Sequence, residues 1–196
     1  MRKISSFICL LIMLSFNSAI AATPENMFVT KVADEVMQAI KKGGGEVAIS
    51  SGLQKTFANY VDLPWISNFV LGRHARAATP AQKQLFIASY KDFMIKSYAS
   101  RLKNYSGETY KITNQQAIST DKSQLRMEVQ RKNAAPILID YKIHKVGSDF
   151  KIYDMAVEGI SLITTQRAEF DAVIERKGLD ELIAALQKSN SQKAKF

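Results

Sequence analysis

Two carboxylates four residues apart, Asp154 and Glu158, are the first candidates for chemistry in this sequence. Two carboxyl groups that face one cleft can act as general acid and general base in hydrolysis. In an extended strand both would lie on one side together with the apolar Phe150 and Ile152. Because the sequence supplies no obvious further polar groups to orient a substrate, structural or rim carboxylates are favoured over an acid/base pair.

The other chemistry-bearing residues match no common motif. His74 and His144 are the two histidines, and neither has a carboxylate or a second histidine at metal-ligand spacing. Gly159-Ile160-Ser161 lacks the second glycine of a nucleophile elbow. The three glycines at 43–45 lack the Gly-Lys-Ser/Thr ending of a phosphate-binding loop. We therefore expect a protein that is not an enzyme, with no catalytic residues, metal or cofactor.

Residues 1–21 predict a cleavable secretory signal. Arg2 and Lys3 precede an apolar run from about Ile4 to Phe16, and Ala19-Ile20-Ala21 fits the cleavage site. The run is shorter than the roughly 18 residues that a membrane span needs. Cleavage after Ala21 would leave 175 of the 196 residues, remove the only cysteine and lower the formal charge from +9 to +7.

Residues 22–196 are predicted to form one domain with a short basic tail from about residue 189. A chain of this length buries about 70% of its unfolded surface, so it needs no disulfide. The positive charge of an exported chain suggests anionic membrane surfaces or acidic partner proteins, and it fits solubility alone equally well. We expect no nucleic-acid partner.

Helical periodicity dominates the first half of this domain. Apolar residues from Val29 to Ile40 recur at the spacing of one helical face. Shorter helices are predicted at 51–60 and after Asp62, whose side chain would cap the helix. Thr79-Pro80-Ala81-Gln82 combines a cap residue, a first-turn proline and a glutamine, which predicts a helix running to about Lys103.

From Glu108 the apolar period changes to two. Four runs that end near Val157, separated by turn-forming residues, predict a four-stranded antiparallel sheet. Gly159 would end the fourth strand, and helices are predicted at Ser161 to Lys177 and Asp180 to Lys188. The fold class is therefore α+β, with N-terminal helices, a curved sheet and C-terminal helices packed on one face of that sheet.

Two segments resemble a known family. YDMAVEGISLITTQRAEF (153–170), followed by LDELIAALQ, resembles the C-terminal signature of the MlaC family of periplasmic phospholipid-binding proteins, also described as toluene-tolerance auxiliary proteins. FVLGRHARAATPAQKQLFIASYKDFMIKSYASRLKNYSGETYKI (69–112) resembles the helical segment of the same family, with Tyr98, Tyr105, Gly107 and Tyr110 in the usual order. The resemblance extends from about Phe57 to Leu186.

The resemblance implies a soluble periplasmic carrier that moves phospholipid between the outer and inner membranes and maintains outer-membrane lipid asymmetry. Its implied partners are an outer-membrane lipoprotein complex and an inner-membrane ABC transporter with an MCE-domain subunit, with transient membrane contact. Acyl chains would lie between sheet and helices, with the headgroup near solvent. The alternatives are a carrier of another apolar lipid, such as a hopanoid, and, less favoured, an exported lipid hydrolase.

On this reading, apolar residues of the helices and strands form the lipid site, and ordinary core is the alternative for each. The predicted lipid contacts are Phe69, Val70, Phe93, Met94, Tyr110, Met127, Ile139, Tyr141, Tyr153, Met155, Val157, Ile160 and Ile163. Arg73, Lys96 and Arg101 are predicted headgroup or membrane contacts, with simple solvation as the alternative. The headgroup, the number of acyl chains, the direction of transport, the partner surfaces and the oligomeric state stay open.

Overall fold

The computed structural model describes residues 23–105 and 108–191. The predicted signal segment and Gly107 lie outside them. Within them the chain forms seven helices and five strands: α1 Pro24–Lys41, α2 Gly45–Tyr60, α3 Leu63–Leu71, α4 His74–Ala77, α5 Pro80–Leu102, β1 Thr109–Ala117, β2 Lys122–Arg131, β3 Ala134–Val146, β4 Asp149–Val157, β5 Ile160–Ser161, α6 Leu162–Lys177 and α7 Leu179–Ser191. The predicted α+β class is confirmed, and the sheet gains a fifth strand of two residues.

Local capping determines where several helices begin. The Thr79 side chain accepts from the Gln82 backbone N–H, and the Gln82 side chain accepts from the Thr79 N–H, which completes a capping box at α5. Asp62 caps α3 through the Trp65 N–H, and Ser161 caps α6 through the Thr164 N–H. These starts agree with the sequence prediction because each cap involves residues within a single turn.

Two helices are longer than predicted. Helix α2 begins at Gly45 and not at residue 51, since Gly44 enters it in a left-handed conformation with φ of 89° that the glycine run permits. Helix α7 continues to Ser191, which shortens the predicted tail. Its last turn is held on α5 by Lys96, whose Nζ donates to the carbonyl oxygens of Ser189 and Asn190.

Helices α1 and α2 cross at a site that requires a glycine. A Cβ placed on Gly52 would lie 2.4 Å from the Cβ of Ala39. Real side chains do not approach so closely, so any residue larger than glycine at position 52 would push the two helices apart. This close approach brings the apolar face of α1 over the sheet while α2 packs beside it.

The sheet is antiparallel in the order β1-β2-β3-β4-β5. Its register places Met127 beside Ile139, and Ile139 beside Val157. The register shifts between β3 and β4, where Lys142 pairs with Asp154 but the next β3 residue pairs with Ile152. This bulge leaves Tyr153 as the extra residue, so the side chains before it change face.

The connection from β4 to β5 is a two-residue turn at Glu158 and Gly159. Both have positive φ, 50° and 80°, as a hairpin turn of this length demands. The Glu158 backbone N–H donates to the Leu138 carbonyl, and its Oε1 accepts from the Leu138 N–H at 2.8 Å. Glu158 is therefore a turn residue that extends the pairing of β3, and the chain then enters α6.

Two hydrophobic clusters stabilise the domain. The helical cluster centres on Phe86, Tyr90 and Phe170, whose rings pack with centroids 5.4 to 5.9 Å apart. The second cluster lies between α1 and the sheet and includes Val29 and Leu125, both fully buried. The space between the two clusters is incompletely filled.

Candidate functional site

An apolar cavity of about 320 Å³ lies between the sheet and the helices. This volume is at the lower end of the range of small-molecule pockets. Its walls come from five helices and four strands, and apolar side chains predominate. The lining residues are Val32, Ala33, Val36, Met37, Ile40, Leu53, Thr56, Phe57, Val61, Ile66, Met94, Tyr98, Arg101, Leu102, Tyr105, Tyr110, Met127, Val129, Ile137, Ile139, Tyr141, Ile152, Asp154, Met155, Val157, Leu162, Ile163 and Gln166.

The helical wall follows from the period of α1. Val32, Val36 and Ile40 are four residues apart, so they form one stripe that faces the sheet. On the strands, every second residue faces the same way, which brings Met127 and Ile139 onto the opposite wall. Apolar side chains make up most of both walls, and the polar lining groups are the side chains of Thr56, Arg101, Asp154 and Gln166 together with the tyrosine hydroxyls.

The structure brings nine of the sixteen predicted site residues to this cavity. They come from strands β1 to β4, from the second half of α5 and from the start of α6. They are Met94, Arg101, Tyr110, Met127, Ile139, Tyr141, Met155, Val157 and Ile163. Arg101 is the exposed member of this set, so its guanidinium lies at the solvent side of the cavity wall.

The structure places five of the predicted lipid contacts elsewhere. Val70 and Phe93 pack into the helical cluster, because α3 and α5 turn those positions toward other helices. Phe69 stacks on Trp65 at the surface, with ring centroids 5.4 Å apart. Ile160 is 63% exposed at the hairpin turn. Tyr153, the bulge residue, contacts the ring of Trp65 and does not line the cavity.

Two of the predicted headgroup cations have structural partners. Lys96 binds the carbonyl oxygens at the end of α7, a favourable place for a cation at a helix C-terminus. Arg73 forms ion pairs with Asp171 at 3.2 Å and Glu175 at 2.9 Å on α6. Neither residue lines the cavity.

None of the cavity residues of α1 and α2 was among the predicted lipid contacts. The apolar stripe of α1 was visible from its spacing, but its periodicity does not distinguish a cavity wall from a closed core. Leu53 and Phe57 of α2 also line the cavity. Tyr98 and Tyr105 stand within the segment that resembles the family, so that segment was a usable signal for them.

The two carboxylates Asp154 and Glu158 have different hydrogen-bond partners. Asp154 is 3% exposed, and its Oδ2 accepts from Lys142 Nζ at 3.0 Å and from Ser161 Oγ at 2.8 Å. Glu158 instead binds the Leu138 N–H in the hairpin turn. Asp154 thus links β4 to β3 and to the start of α6, and the pair functions as a strand-to-helix joint in the fold.

A histidine and two carboxylates meet at the surface between α4 and α6. His74 Nε2 lies 2.8 Å from Asp171 Oδ1 and 3.9 Å from Glu175 Oε1, which is a geometry that could hold a metal ion. The cluster could not be recognised from local spacing, because the two carboxylates follow His74 by about 100 residues. Arg73 binds the same two carboxylates, so one of their two negative charges is already compensated. The hydrogen bond from His74 and the charge of Arg73 lower the pKa of Asp171.

Two cavity tyrosines should make the protein sensitive to alkali. Burial raises the pKa of Tyr98 and of Tyr141 to about 12, against about 10 in an unfolded chain. The folded state therefore disfavours the phenolate, so this contribution to stability is complete below pH 10 and is lost as the pH rises toward 12. Each tyrosine should lower the free energy of unfolding by about 1.4 kcal/mol between pH 9 and pH 11.

Urea unfolding at pH 9 and pH 11 measures this effect. Tyr141→Phe should show a smaller loss between the two pH values than the unsubstituted chain, by the contribution of one tyrosine. If the variant and the unsubstituted chain lose equal stability, Tyr141 is not the titrating group.

A family model described as MlaC protein matches residues 30–188, which include all the lining residues of the cavity. This chain belongs to the MlaC family. The resemblance inferred from residues 69–112 and 153–170 is thereby confirmed.

Two relatives are similar in sequence to this chain over two thirds of its length or more. The intermembrane phospholipid transport system binding protein MlaC of Haemophilus influenzae is 24% identical over 184 residues, which is 89% of this chain and 86% of the relative. Toluene tolerance protein ttg2D of Pseudomonas putida is 25% identical over 134 residues, covering 68% of this chain and 62% of that protein.

A solved structure has the same fold. The phospholipid-binding protein from Ralstonia solanacearum, determined in complex with a phospholipid, matches with a TM-score of 0.77 and 26% identity. The match covers 86% of this chain and 98% of that one. Within the described residues of this MlaC-family chain, no helix has both the length and the apolar character to cross a membrane.

Proposed function

We propose that this chain is a phospholipid carrier. The observation that carries the proposal is the apolar cavity between sheet and helices, found in a chain of the MlaC family. The phospholipid complex of the Ralstonia solanacearum protein and the name of the Haemophilus influenzae relative support the same ligand class.

The cavity supplies what transfer through water requires. Each methylene kept from water is worth about 0.8 kcal/mol. Exposing two long acyl chains to water therefore costs on the order of 20 kcal/mol. A lipid that moves from a bilayer into an apolar cavity exchanges one apolar environment for another. Transfer can then be nearly balanced, and a carrier needs no chemistry of its own. The direction of transport would come from partners.

We infer a periplasmic carrier between the outer and inner membranes that serves an ABC transport system and outer-membrane lipid asymmetry. The word intermembrane in the name of one relative and the signal-like residues 1–21 support this inference. An outer-membrane lipoprotein complex and an inner-membrane transporter with an MCE-domain subunit are the expected partners.

We further propose that the chain is not an enzyme. Asp154 and Glu158 are engaged in different hydrogen bonds, and Ser161 donates its hydroxyl to Asp154 while also capping α6. These roles account for each group without a substrate. A hydrolase would need these side chains free of their present hydrogen bonds and directed at one substrate.

Native mass spectrometry of the chain purified from the periplasm without detergent tests the proposal. Co-purified phospholipid, identified after organic extraction, is the expected result. Extraction of a hopanoid would assign another apolar ligand. An empty chain that also takes no lipid from vesicles would overturn the carrier function. Turnover of lipid esters that disappears in Asp154→Asn or Glu158→Gln would favour the hydrolase.

A further inference from the structure

A second concave surface, separate from the lipid cavity, lies where α3, α4, α5 and α6 meet. We call it the basic groove, and it has a volume of about 710 Å³. Its lining is rich in cations around an aromatic pair and a glycine. The residues are Trp65, Asn68, Phe69, Gly72, Arg73, Ala75, Arg76, Lys83 and Arg167. None of them lines the lipid cavity, so carrying lipid does not explain this groove.

The guanidinium of Arg167 is held in the groove by packing. It lies over the Phe69 ring, 4.9 Å from the centroid, and Phe69 in turn stacks on Trp65 with an angle of 8° between the ring planes. Gly72 leaves room for it, since a Cβ on Gly72 would lie 3.0 to 3.2 Å from the guanidinium atoms. The ring contact thus places the exposed Arg167 guanidinium in the groove, and no carboxylate in the described part of the chain pairs with it.

The positive charge of the basic groove is only partly compensated. Arg73 is paired with Asp171 and Glu175. In contrast, no carboxylate among the described residues forms an ion pair with Arg76, Lys83 or Arg167. A planar guanidinium with free N–H groups matches a carboxylate in a bidentate arrangement.

We propose that the basic groove binds an acidic segment of a partner protein. Three uncompensated cations give the charge complementarity, and the stacked rings of Trp65 and Phe69 offer an apolar floor for a neighbouring side chain of the same segment. A flat bilayer surface would meet the rim cations but would not enter a concave site. The inference does not depend on lipid occupying the cavity.

The intrinsic fluorescence of Trp65 provides the measurement, because Trp65 is the only tryptophan in the chain and lines the groove. The probe is a blocked octapeptide of glutamates around a central Phe-Leu pair, titrated into the mature chain at low salt. We expect saturable binding. Arg167→Gln and Arg76→Gln should each weaken it about fivefold.

Arg176→Gln is the matched control. Arg176 lies on the same helix as Arg167, is exposed, and uses its Nε–H on the Ala172 carbonyl, away from the groove. It should weaken binding less than twofold, although it removes the same charge. All variants should keep the melting temperature and lipid content of the unsubstituted chain.

Three results would overturn the proposal. They are absence of saturable peptide binding, equal losses in Arg167→Gln and Arg176→Gln, and tighter binding of inorganic phosphate or phosphatidylglycerol vesicles than of the peptide through the same arginines. Because lipid content is measured separately, failure of the basic groove and failure of the carrier function give different outcomes.

Discussion

Val157→Arg should remove lipid from the cavity while the domain stays folded. Val157 lines the cavity beside Ile139 and is half-buried. A guanidinium there occupies acyl-chain volume and places a charge against apolar groups. Its long side chain can still direct the charge toward solvent, which limits the cost to the fold. We expect retained lipid to fall more than tenfold and the free energy of unfolding to fall by about 1 kcal/mol.

Val146→Arg is the control for this experiment. Val146 is on the neighbouring strand β3, 46% exposed and outside the cavity. The Val146→Arg variant introduces the same side chain into the sheet, and it should retain lipid as the unsubstituted chain does. Lipid content by mass spectrometry and stability by urea unfolding are measured on both variants. If Val157→Arg loses lipid only in proportion to its loss of stability, Val157 is an ordinary core residue and not a lipid contact.

Lys142→Met is expected to be the most destabilising single change considered for this chain. Lys142 Nζ binds Asp154 Oδ2 at 3.0 Å, and the side chain of Asp154 is only 2% exposed. Its Oδ1 already has no partner among the described residues. Removing Lys142 would leave a buried carboxylate with one hydrogen bond, from Ser161. We expect the free energy of unfolding to fall by about 3 kcal/mol.

The double variant Lys142→Met, Asp154→Leu separates charge from packing. Without the carboxylate there is no unpaired buried charge, so the double variant should recover most of the stability that Lys142→Met loses. Urea unfolding of the two single variants and the double variant gives the coupling energy. Additive losses would mean that the ion pair does not account for the effect of Lys142.

The starts of α3, α5 and α6 could be predicted because capping is local. The Thr79 and Gln82 side chains act on each other's backbone within one turn, so four consecutive letters specify the result. The start of α2 could not be predicted in this way. A glycine run is compatible both with a break and with a left-handed entry to a helix, and the packing of Gly52 against Ala39 is a contact between helices that local patterns do not encode.

Strand periodicity predicted the wall residues Met127 and Ile139 but failed at the bulge. Before and after Tyr153 the alternation of faces differs, because Asp154 pairs with Lys142 while Ile152 pairs with the next β3 residue. Whether an extra residue is accommodated depends on the neighbouring strand. Counting alternate positions therefore assigned Tyr153 to the cavity, whereas it packs on Trp65.

By itself, the sequence of this chain determined the α+β class, the main helix boundaries and the family, since these depend on periodicity, capping and motifs of neighbouring residues. Only the tertiary structure decided which apolar residues line a cavity and which close the core. It also decided that Asp154 pairs with Lys142 and that Arg167 lies over Phe69. Such contacts join residues from 12 to about 100 positions apart, and their energy depends on burial and approach distance, which only the assembled fold establishes.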